Sequence, residues 1–334
     1  MQFLGEFLWN DFFSHIYIEK NAYKYDTTKK ILQKLNNKIV IDINHYKDVF
    51  SPKQNFLIQK NSPKLILAVK SGIFFYNGSP MCINYGYDDF IYTTQIMNCP
   101  YFCDYCYLQG LFPSANIVIF VNIEDTFEAL INYYKYKNPF LCISYDTDLL
   151  ALEDITGFVR KWAGFARENE NISIELRTKS SKFDLIKDIE PLQNLVIAWS
   201  LLPDLIISEH EKNTPCLSDR LTNIKNAINK GWKIRLCFDP LLYVKNYDII
   251  YKDFFNIVFH NLPFNKIFDI CVGPFRMTRG LIKKIEKEQH SSLFAYPFVN
   301  INGLYTYTKE HINELYNIVA SCLPDIPVYF YNIQ

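Results

Sequence analysis

The chain is most easily placed by what it lacks. None of its apolar runs approaches the roughly 20 residues that a membrane-spanning helix needs, and it contains no low-complexity linker and no internal repeat. Its formal net charge is zero, because 35 Lys and Arg residues balance 35 Asp and Glu residues. These absences exclude a transmembrane or repeat architecture. They also remove any argument for a nucleic-acid partner from overall charge, although a local basic patch stays open.

We also do not expect a secretory leader. The first ten residues, Met1 to Asn10, carry no basic group and are interrupted by polar residues. The nine cysteines are an odd number, and six of them lie singly in apolar segments, so a disulfide framework is not expected. We therefore expect a cytoplasmic protein with reduced thiols and no membrane partner.

Three cysteines do stand together. Cys99, Cys103 and Cys106 have the spacing C-x3-C-x2-C, and three thiolates so spaced can hold three corners of a [4Fe–4S] cluster. One iron then stays open to a substrate or cofactor. Zinc is the alternative, but it usually takes four ligands, and the chain has no second C-x2-C and no paired histidines. Purely structural thiols are a third interpretation. The spacing favours the cluster, and it is the spacing of the radical S-adenosylmethionine (SAM) enzymes.

Strand-like and helix-like segments alternate from about residue 90 onward, which predicts parallel βαβ units. The predicted strands are Phe90–Met97, Phe140–Ser144, Ile172–Arg177, Leu195–Leu201, Lys233–Phe238 and Ile267–Gly273. The predicted helices cover about 124–136, 153–168, 182–189, 219–230, 247–260 and 278–289. The expected fold is α/β, a partial (βα)6 TIM-like barrel, whose ligands collect at the carboxyl ends of the strands. The cysteine loop follows the first of these strands.

Both ends of the chain are expected to form appendages to that barrel. Residues 1–85 are predicted as an α/β appendage with a strand at Leu65–Val69, and residues 86–290 as the barrel. Residues 291–334 are predicted to add a hairpin at Phe298–Tyr307, with its turn at Asn302-Gly303, and a helix at about 309–321. The two appendages are expected to pack on the barrel.

The cysteine loop and the segments after it resemble the spore photoproduct lyase family of the radical SAM superfamily. The resemblance is carried by Cys99–Gln109, Leu141–Asp148, Arg177-Thr-Lys179, Ala198-Trp-Ser200, Thr214–Arg220, Leu236–Pro240 and Gly273–Met277. The cysteine spacing alone identifies only the superfamily. The Tyr-Cys-Tyr-Leu-Gln sequence and the single cysteine at the end of the next strand narrow the resemblance to this family.

The resemblance implies a reaction and its cofactors. A [4Fe–4S] cluster on Cys99, Cys103 and Cys106 would cleave SAM, and the resulting radical would revert 5-thyminyl-5,6-dihydrothymine in ultraviolet-damaged spore DNA. Cys142 then occupies the position of the hydrogen-atom donor, and Tyr105 and Tyr107 those of the tyrosines that regenerate SAM. Ser144, Lys179 and Ser200 match the family positions that contact SAM. A reductant such as flavodoxin or ferredoxin is the implied protein partner.

Contacts to DNA are predicted less directly, from charge spacing. Arg276, Arg279, Lys283 and Lys287 recur at three- and four-residue intervals and would share one face of the helix after the last strand, where they could meet phosphates. An ordinary solvated helix face is the alternative, because Glu286 and Glu288 lie among them.

Two departures from the expected reaction remain open at this point. Asn98 stands where a glycine is expected before the first cluster cysteine, and the neutral chain lacks the basic surplus of many DNA enzymes. A radical SAM enzyme of the same fold that acts on another nucleic-acid or peptide substrate is therefore an alternative. A non-catalytic zinc- or iron-binding protein is a second alternative.

Overall fold

Two large sheets, two small ones of two and three strands, and the helices around them make up the described part of the chain. The computed structural model describes residues 9–79, 81–135, 137–288 and 291–332, and its strands and helices are numbered here in chain order. The larger sheet has eight strands in the order β18-β14-β13-β11-β10-β9-β5-β4. Its strands are β4 Phe75–Asn77, β5 Phe90–Thr93, β9 Phe140–Cys142, β10 Ser173–Thr178, β11 Leu195–Ser200, β13 Lys233–Leu241, β14 Asp269–Pro274 and β18 Val328–Phe330.

The six predicted barrel strands are confirmed, and they lie side by side in chain order. From β5 through β14, each strand pairs in parallel with the next. Strands such as β14, where every residue is buried, show the continuous apolar pattern of a sheet covered on both faces. Parallel order aligns all the carboxyl ends at one edge, which is where the cysteine loop begins.

The first predicted strand is shorter than expected. Phe90–Met97 splits into β5, which ends at Thr93, and β6 (Ile96–Met97), which joins the other sheet. Gln95 lies at the break, where its backbone and side chain both bond to the backbone of Phe120 in that second sheet. The chain therefore leaves the barrel just before the first cluster cysteine.

The larger sheet is curved but open. Strands β4 and β18 form its two ends, and β4 pairs antiparallel with β5. Curvature brings the ends together: the ring of Tyr85, between β4 and β5, lies 5.2 Å from that of Tyr329 in β18. The result is a partial barrel, as the sequence predicts.

Helices cover the outside of the sheet. They are α1 Trp9–Phe12, α2 Asp26–Lys34, α3 Phe56–Asn61, α4 Leu108–Leu111, α5 Ile123–Tyr134, α6 Glu153–Thr156, α7 Phe158–Glu168, α8 Asp204–His210, α9 Leu217–Lys230, α10 Tyr247–Asn261, α11 Arg279–Glu288 and α12 Lys309–Cys322. Five of the six predicted barrel helices are confirmed, although the one at 153–168 is divided by Gly157, which has a positive φ of 65°.

The helix predicted at 182–189 is wrong. The segment holds only a short 3₁₀ turn at Phe183–Leu185. Its buried residues Phe183, Ile186 and Ile189 recur every third position, which suits the three residues per turn of a 3₁₀ helix. Pro191 follows directly and leaves too short a stretch for a stable α-helix.

The smaller sheet contains the N-terminal strands and two later ones. Its order is β2-β1-β3-β8-β6, from β1 His15–Glu19, β2 Ile39–Ile43, β3 Leu65–Ala68, β6 Ile96–Met97 and β8 Ile117–Phe120. The strand at Ile117–Phe120 was not predicted, and it carries the sheet past residue 85. Within the described ranges, no helix has the length and apolarity required to cross a membrane.

The C-terminal hairpin and helix are confirmed. Strands β16 (Val299–Ile301) and β17 (Leu304–Thr306) pair antiparallel around Asn302 and Gly303, whose φ values are both positive, and α12 follows. Strand β15 (Arg276–Thr278) adds to this hairpin next to the barrel. Because β15 directly follows β14 in the chain, this pairing attaches the hairpin to the last of the predicted barrel strands.

Candidate active site

A cavity of about 300 Å³ lies at the carboxyl ends of the barrel strands. Ten of the residues that sequence reasoning singled out line it together: Cys99, Cys103, Cys106, Tyr105, Tyr107, Cys142, Ser144, Lys179, Ser200 and Arg276. The first nine come from the cysteine loop and from the ends of three different strands. Parallel strand order is what brings them to one place.

Hydrogen bonds to neighbouring segments anchor the cysteine loop, and the first of them join its backbone to another strand. Phe102 and Cys103 form strand β7, which pairs antiparallel with β12 (Glu211–Lys212). The side-chain amide of Gln109 donates to the Cys103 carbonyl oxygen at 2.7 Å. Asp104 accepts a hydrogen bond from Ser291 at 2.7 Å. Contacts from outside the loop therefore hold the three cysteines in position.

Asn98 has the conformation that explains the expected glycine. Its φ is 67°, in the left-handed region that favours glycine and, among other residues, asparagine. Its side-chain amide donates to the carbonyl oxygens of Ser114 at 2.8 Å and Asn116 at 2.7 Å. The departure from glycine thus keeps the turn and adds two bonds that tie it to the smaller sheet.

The three thiols fit a cluster better than a single ion. Burial raises the pKa of Cys99 to about 12 and also raises the pKa values of Cys103 and Cys106, and repulsion from the neighbouring thiols adds to this for Cys99 and Cys103. Thiolates there need a bound cation. Within the described residues, no three His, Cys, Asp or Glu side chains converge on one ion. Thiols spread around a cavity suit a cluster in which each iron takes one of them.

Next to the cysteines lies a charged cluster, formed by Lys179, Glu211, Arg220 and Tyr105. Arg220 and Glu211 form a fully buried ion pair at 2.5 Å, and the Lys179 ammonium lies 3.9 Å from the same carboxylate. The hydroxyl of Tyr105 also donates to Glu211. Burial alone would raise the pKa of Glu211, but the charges of Arg220 and Lys179 outweigh it and hold that pKa below its ordinary value.

Lys179 stays cationic in this setting. Burial alone would lower its pKa, but the charges of Cys103 and Glu211 outweigh burial and raise it. Its backbone N–H donates to Asp148, whose carboxylate also accepts from Thr178. The strand end is therefore held rigidly, and a fixed cation faces the cavity beside the cysteine loop.

Two serine hydroxyls at neighbouring strand ends face the same cavity. Ser144 Oγ accepts a hydrogen bond from the Arg177 backbone N–H at 2.7 Å, which leaves its hydroxyl hydrogen to donate. Ser200 ends β11, and its carbonyl oxygen accepts from Arg220 at 2.9 Å. Both side chains are 6% exposed. A cation and two hydroxyls are suitable partners for a carboxylate and a polar sugar.

A second group, the thiol–tyrosine cluster, consists of Cys142, Cys82, Tyr107 and Tyr145. All four line the cavity. The hydroxyl of Tyr107 donates to the Tyr145 carbonyl oxygen, and Cys82 Sγ lies 3.7 Å from the Tyr145 hydroxyl. Tyr107, Tyr145 and Cys82 are therefore linked through Tyr145, and Cys142 lines the same cavity beside the cysteine loop.

Burial keeps this group protonated. It raises the pKa of Cys142, with a smaller contribution from Glu175, and it raises the pKa values of Tyr107 and Tyr145 as well. An S–H or O–H group that does not ionise can give up a hydrogen atom. The setting of Cys142 therefore suits a hydrogen-atom donor.

The pKa of Asp146, whose carboxyl group lies beside this cluster, is raised, whereas that of Glu211 is lowered. Burial raises the pKa of Asp146 to about 6, against the opposing effects of Thr94, Lys70 and Tyr107. Asp146 accepts from the Thr94 hydroxyl at 2.5 Å and is 4% exposed. Among the described residues, Lys70 is the cation that acts on Asp146, and its effect is smaller than that of burial.

Buried ion pairs form the floor of the cavity. Arg235 bonds to Glu175 at 2.7 Å and to Asp269 at 2.5 Å, and Arg177 bonds to Glu175 at 3.1 Å. Glu175 and Arg177 line the cavity from below. The barrel interior is thus filled by matched charges and is not a pore.

Arg276 does not belong to the predicted basic helix face. It lies in strand β15, before α11 begins, and its guanidinium is inside the cavity, paired with Asp239 at 2.8 Å. It also donates to the Met81 carbonyl oxygen at 3.0 Å and stacks on Tyr331. The spacing argument failed because it assumed a helix through Arg276. An arginine bonded in this way braces the rim of the cavity.

Arg279 and Lys283 lie on α11 outside the cavity. Lys283 is exposed, and Arg279 donates to the Tyr305 hydroxyl at 3.0 Å. Lys287 is also exposed on this helix. These three residues keep the spacing expected of a shared face, and α11 packs against α4 directly after the cysteine loop.

Several residues of the site were missed. Cys82 and Tyr145 line the cavity, and Glu211 and Asp146 set its charges. Tyr145 and Asp146 lie inside the quoted segment Leu141–Asp148, so proximity to Cys142 could have identified them. Glu211 and Cys82 belong to no sequence motif that would identify them, and only the fold brings them close to the other residues of the site.

Comparison with known proteins agrees with this geometry. A family model described as spore photoproduct lyase matches residues 12–293. No curated protein matches the chain. A solved structure of spore photoproduct lyase complexed with dinucleoside spore photoproduct has a TM-score of 0.81 at 18% identity, and the match covers 96% of this chain and 100% of that one.

Two mutant structures of spore photoproduct lyase give the same result. A cysteine-to-alanine mutant matches with a TM-score of 0.81 at 18% identity, covering 96% of this chain and 99% of that chain. A double mutant with bound AdoMet and dinucleoside spore photoproduct has the same TM-score, identity and coverage. At this identity the likeness shows a shared fold along nearly the whole length of both chains.

Proposed function

Because the chain belongs to the spore photoproduct lyase family, we propose that it is a radical SAM lyase that reverts 5-thyminyl-5,6-dihydrothymine in damaged DNA to two thymines. One observation carries the proposal. Three cysteines spaced for a cluster and the buried thiol of Cys142 line a single cavity at the carboxyl ends of the barrel strands. A cluster-binding loop alone would fit any radical SAM enzyme, and the protonated thiol beside it supports this reaction.

The chain's own residues would hold both cofactors. Cys99, Cys103 and Cys106 would each bind one iron of a [4Fe–4S] cluster, and Lys179 would pair with the SAM carboxylate. Ser144 and Ser200 would donate hydrogen bonds to polar groups of SAM. When bound, the cluster would supply the electron that splits SAM into methionine and a 5′-deoxyadenosyl radical. That radical would remove a hydrogen atom from C6 of the lesion, and the bond between C5 and the bridging methylene would then break, leaving a radical on the methylene carbon of one thymine.

Cys142 closes the reaction by returning a hydrogen atom. Its S–H bond breaks as a C–H bond forms on the thymine radical, and a thiyl radical remains on the sulfur. Tyr105 and Tyr107 restore it by passing on a hydrogen atom that comes from 5′-deoxyadenosine, so that SAM can re-form. Tyr107 belongs to the thiol–tyrosine cluster, while Tyr105 is bonded to Glu211. We assign Tyr107 to the side of Cys142, because it lines the cavity with Cys142 and bonds to Tyr145, and Tyr105 to the side of the cofactor, because its partner Glu211 also lies beside Lys179.

The outer surface would receive the macromolecular partners. Arg279 and Lys283 are the candidate phosphate contacts, because Arg276 is bonded to Asp239. A small electron-transfer protein such as flavodoxin or ferredoxin would supply the electron. These two roles depend on surface residues and a partner protein, and not on the contacts inside the cavity.

An anaerobic assay tests it. Reconstituted protein, SAM and dithionite are mixed with dinucleoside spore photoproduct, and thymidylyl-thymidine is followed by chromatography. We expect repair with SAM recovered intact. Deoxyadenosine without repair would contradict the substrate and leave a radical SAM enzyme of another specificity. A protein without the brown colour of an iron–sulfur cluster would contradict the reaction class.

A further inference from the structure

A buried lysine approaches the cysteine loop from outside the cavity. Lys60 lies near the end of α3, in the N-terminal part of the chain, and is 9% exposed. Its ammonium donates a hydrogen bond to the backbone carbonyl oxygen of Cys99. Lys60 is not among the residues that line the cavity. Its charge therefore reaches the cysteines from behind, away from the space in which SAM would bind.

The counter-charge for this ammonium is the cysteine loop itself. Across the described ranges no ion pair joins Lys60 to an Asp or Glu, and the group to which its ammonium donates is the carbonyl oxygen of Cys99. A buried ammonium is costly unless a negative group compensates it. Three thiolates around a cluster would do so.

Helix α3 is fixed, so the charge has a defined position. The amide oxygen of Gln59 accepts from Ser114 at 2.8 Å, and its nitrogen donates to the Ser51 carbonyl oxygen at 3.1 Å. At the start of the helix, the Glu288 carboxylate accepts from the Phe56 backbone N–H at 2.5 Å. Bonds to segments on both sides of the cysteine loop thus hold α3 against it.

We propose that Lys60 is a positioning residue that sets the reduction potential of the cluster. Reduction adds one negative charge to the cluster, and a nearby buried cation stabilises the reduced form more than the oxidised form. The N-terminal appendage then has a role in the reaction, because it supplies the charge that eases the first electron transfer. The inference rests on the proposed cluster.

The test is a redox titration of the reconstituted full-length protein, followed by the electron paramagnetic resonance of the reduced cluster without substrate. Lys60→Met keeps the length of the side chain and removes its charge. At a fixed solution potential we expect the ratio of reduced to oxidised cluster to fall about tenfold, which is about 59 mV for a one-electron couple. Lys60→Arg should keep most of the wild-type potential.

Lys70→Met is the matched control. Lys70 is also buried and also belongs to the N-terminal part, but its ammonium faces Tyr76 and Asp146 instead of the cysteines. Its removal should leave the potential unchanged. A Lys60→Met midpoint equal to that of the wild type, at equal iron content, would overturn the inference.

Lys60→Gln keeps the test decisive if Lys60→Met fails to hold iron. A glutamine can still donate to a carbonyl oxygen but carries no charge, so it should show the same negative shift as Lys60→Met. A wild-type potential in Lys60→Gln would refute the charge effect. A wild-type protein that assembles no cluster would instead refute the proposed function on which the inference depends.

Discussion

The charged cluster and the thiol–tyrosine cluster border the same cavity, yet burial has opposite outcomes in them. In the charged cluster, Arg220 and Lys179 hold the pKa of Glu211 below its ordinary value, so the group is ionised. In the thiol–tyrosine cluster, burial is not compensated, and the pKa values of Cys142 and Tyr107 rise. Groups on one side of the cavity stay ionised, whereas the thiol and phenol groups on the other side stay protonated.

This difference matches the two tasks of the proposed reaction. A zwitterionic cofactor needs fixed ions and hydroxyls, which Lys179, Ser144 and Ser200 provide. A radical transfer needs S–H and O–H bonds that do not ionise, which Cys142 and Tyr107 provide. Depth of burial alone does not separate the two tasks, because Glu211 and Cys142 are exposed by only 2% and 6%. The presence of a compensating charge does.

The largest effect is expected from breaking the charged cluster. Glu211→Gln leaves the Arg220 guanidinium buried without its partner, and losing one member of a buried ion pair costs about 3–5 kcal/mol. We expect the free energy of unfolding of the cluster-free protein to fall by that amount in anaerobic denaturant titrations. Glu190→Gln, which breaks an exposed pair with Lys230, is the control and should change little. Equal effects in the two variants would remove the distinction between the clusters.

The contribution of Asp146 to the free energy of unfolding should change with pH in the opposite direction from that of Glu211. Its folded-state pKa of about 6 lies above the ordinary value of 3.8, so its contribution to stability is present at low pH. That contribution is lost as pH rises through about 6. The shift corresponds to about 3 kcal/mol. We expect Asp146→Asn to be stabilised relative to the wild type by this amount on going from pH 4 to pH 8, in urea titrations.

Glu211 supplies the contrast for that measurement. Its lowered pKa contributes stability above the ordinary value, and acidification through the folded-state pKa removes that contribution. If the difference in stability between Asp146→Asn and the wild type did not change with pH, the claim that the burial of Asp146 beside Tyr107 is uncompensated would be wrong.

Removing the thiol of Cys142 should block only one step of the reaction, the return of a hydrogen atom. Cys142→Ala removes the hydrogen donor but leaves the cysteine loop and Lys179 in place. We therefore expect SAM cleavage to continue while the yield of thymidylyl-thymidine falls about a hundredfold, or about 2.7 kcal/mol. Chromatography of both products in one reaction separates the two effects. Cys82→Ala removes the other thiol of the thiol–tyrosine cluster and should keep most of the yield. A normal yield from Cys142→Ala would reject Cys142 as donor.

A smaller effect is expected at Lys179. Lys179→Met removes a cation paired with the SAM carboxylate, and a hydrogen bond to a charged group contributes about 1.5–3 kcal/mol. We expect SAM binding to the cluster-loaded protein to weaken about tenfold or more in anaerobic calorimetry. Lys182→Met is the control, because its ammonium pairs with Asp154 at 3.0 Å outside the cavity. Equal loss in both variants would point to a general destabilisation.

The strand pattern predicted the barrel and, through it, much of the site. Apolar runs separated by helical segments locate each strand within a few residues, and polar residues just after a strand end then fall at one edge. Ser144, Lys179 and Ser200 were found by the resemblance, and the fold explains why they meet. Local pattern located the strands, the resemblance named the residues, and parallel order explains why the strand ends meet.

Other features depend on contacts that no local pattern records. The bond from Lys60 to Cys99 joins positions 39 residues apart, and Glu211 reaches Tyr105 across 106 positions. Arg276 was misplaced because regular charge spacing was extended across a strand boundary. Asn98 could have been interpreted correctly, since asparagine is the usual substitute for glycine where φ is positive.

The source of the returned hydrogen is the central claim. Repair of dinucleoside spore photoproduct in deuterium oxide tests it directly, because the Cys142 S–H group exchanges with solvent whereas carbon-bound hydrogens do not. We predict thymidylyl-thymidine that carries deuterium in the methyl group of one thymine, detected by mass spectrometry. Repair product without deuterium would show that the hydrogen comes from a C–H bond, and would contradict the role of Cys142.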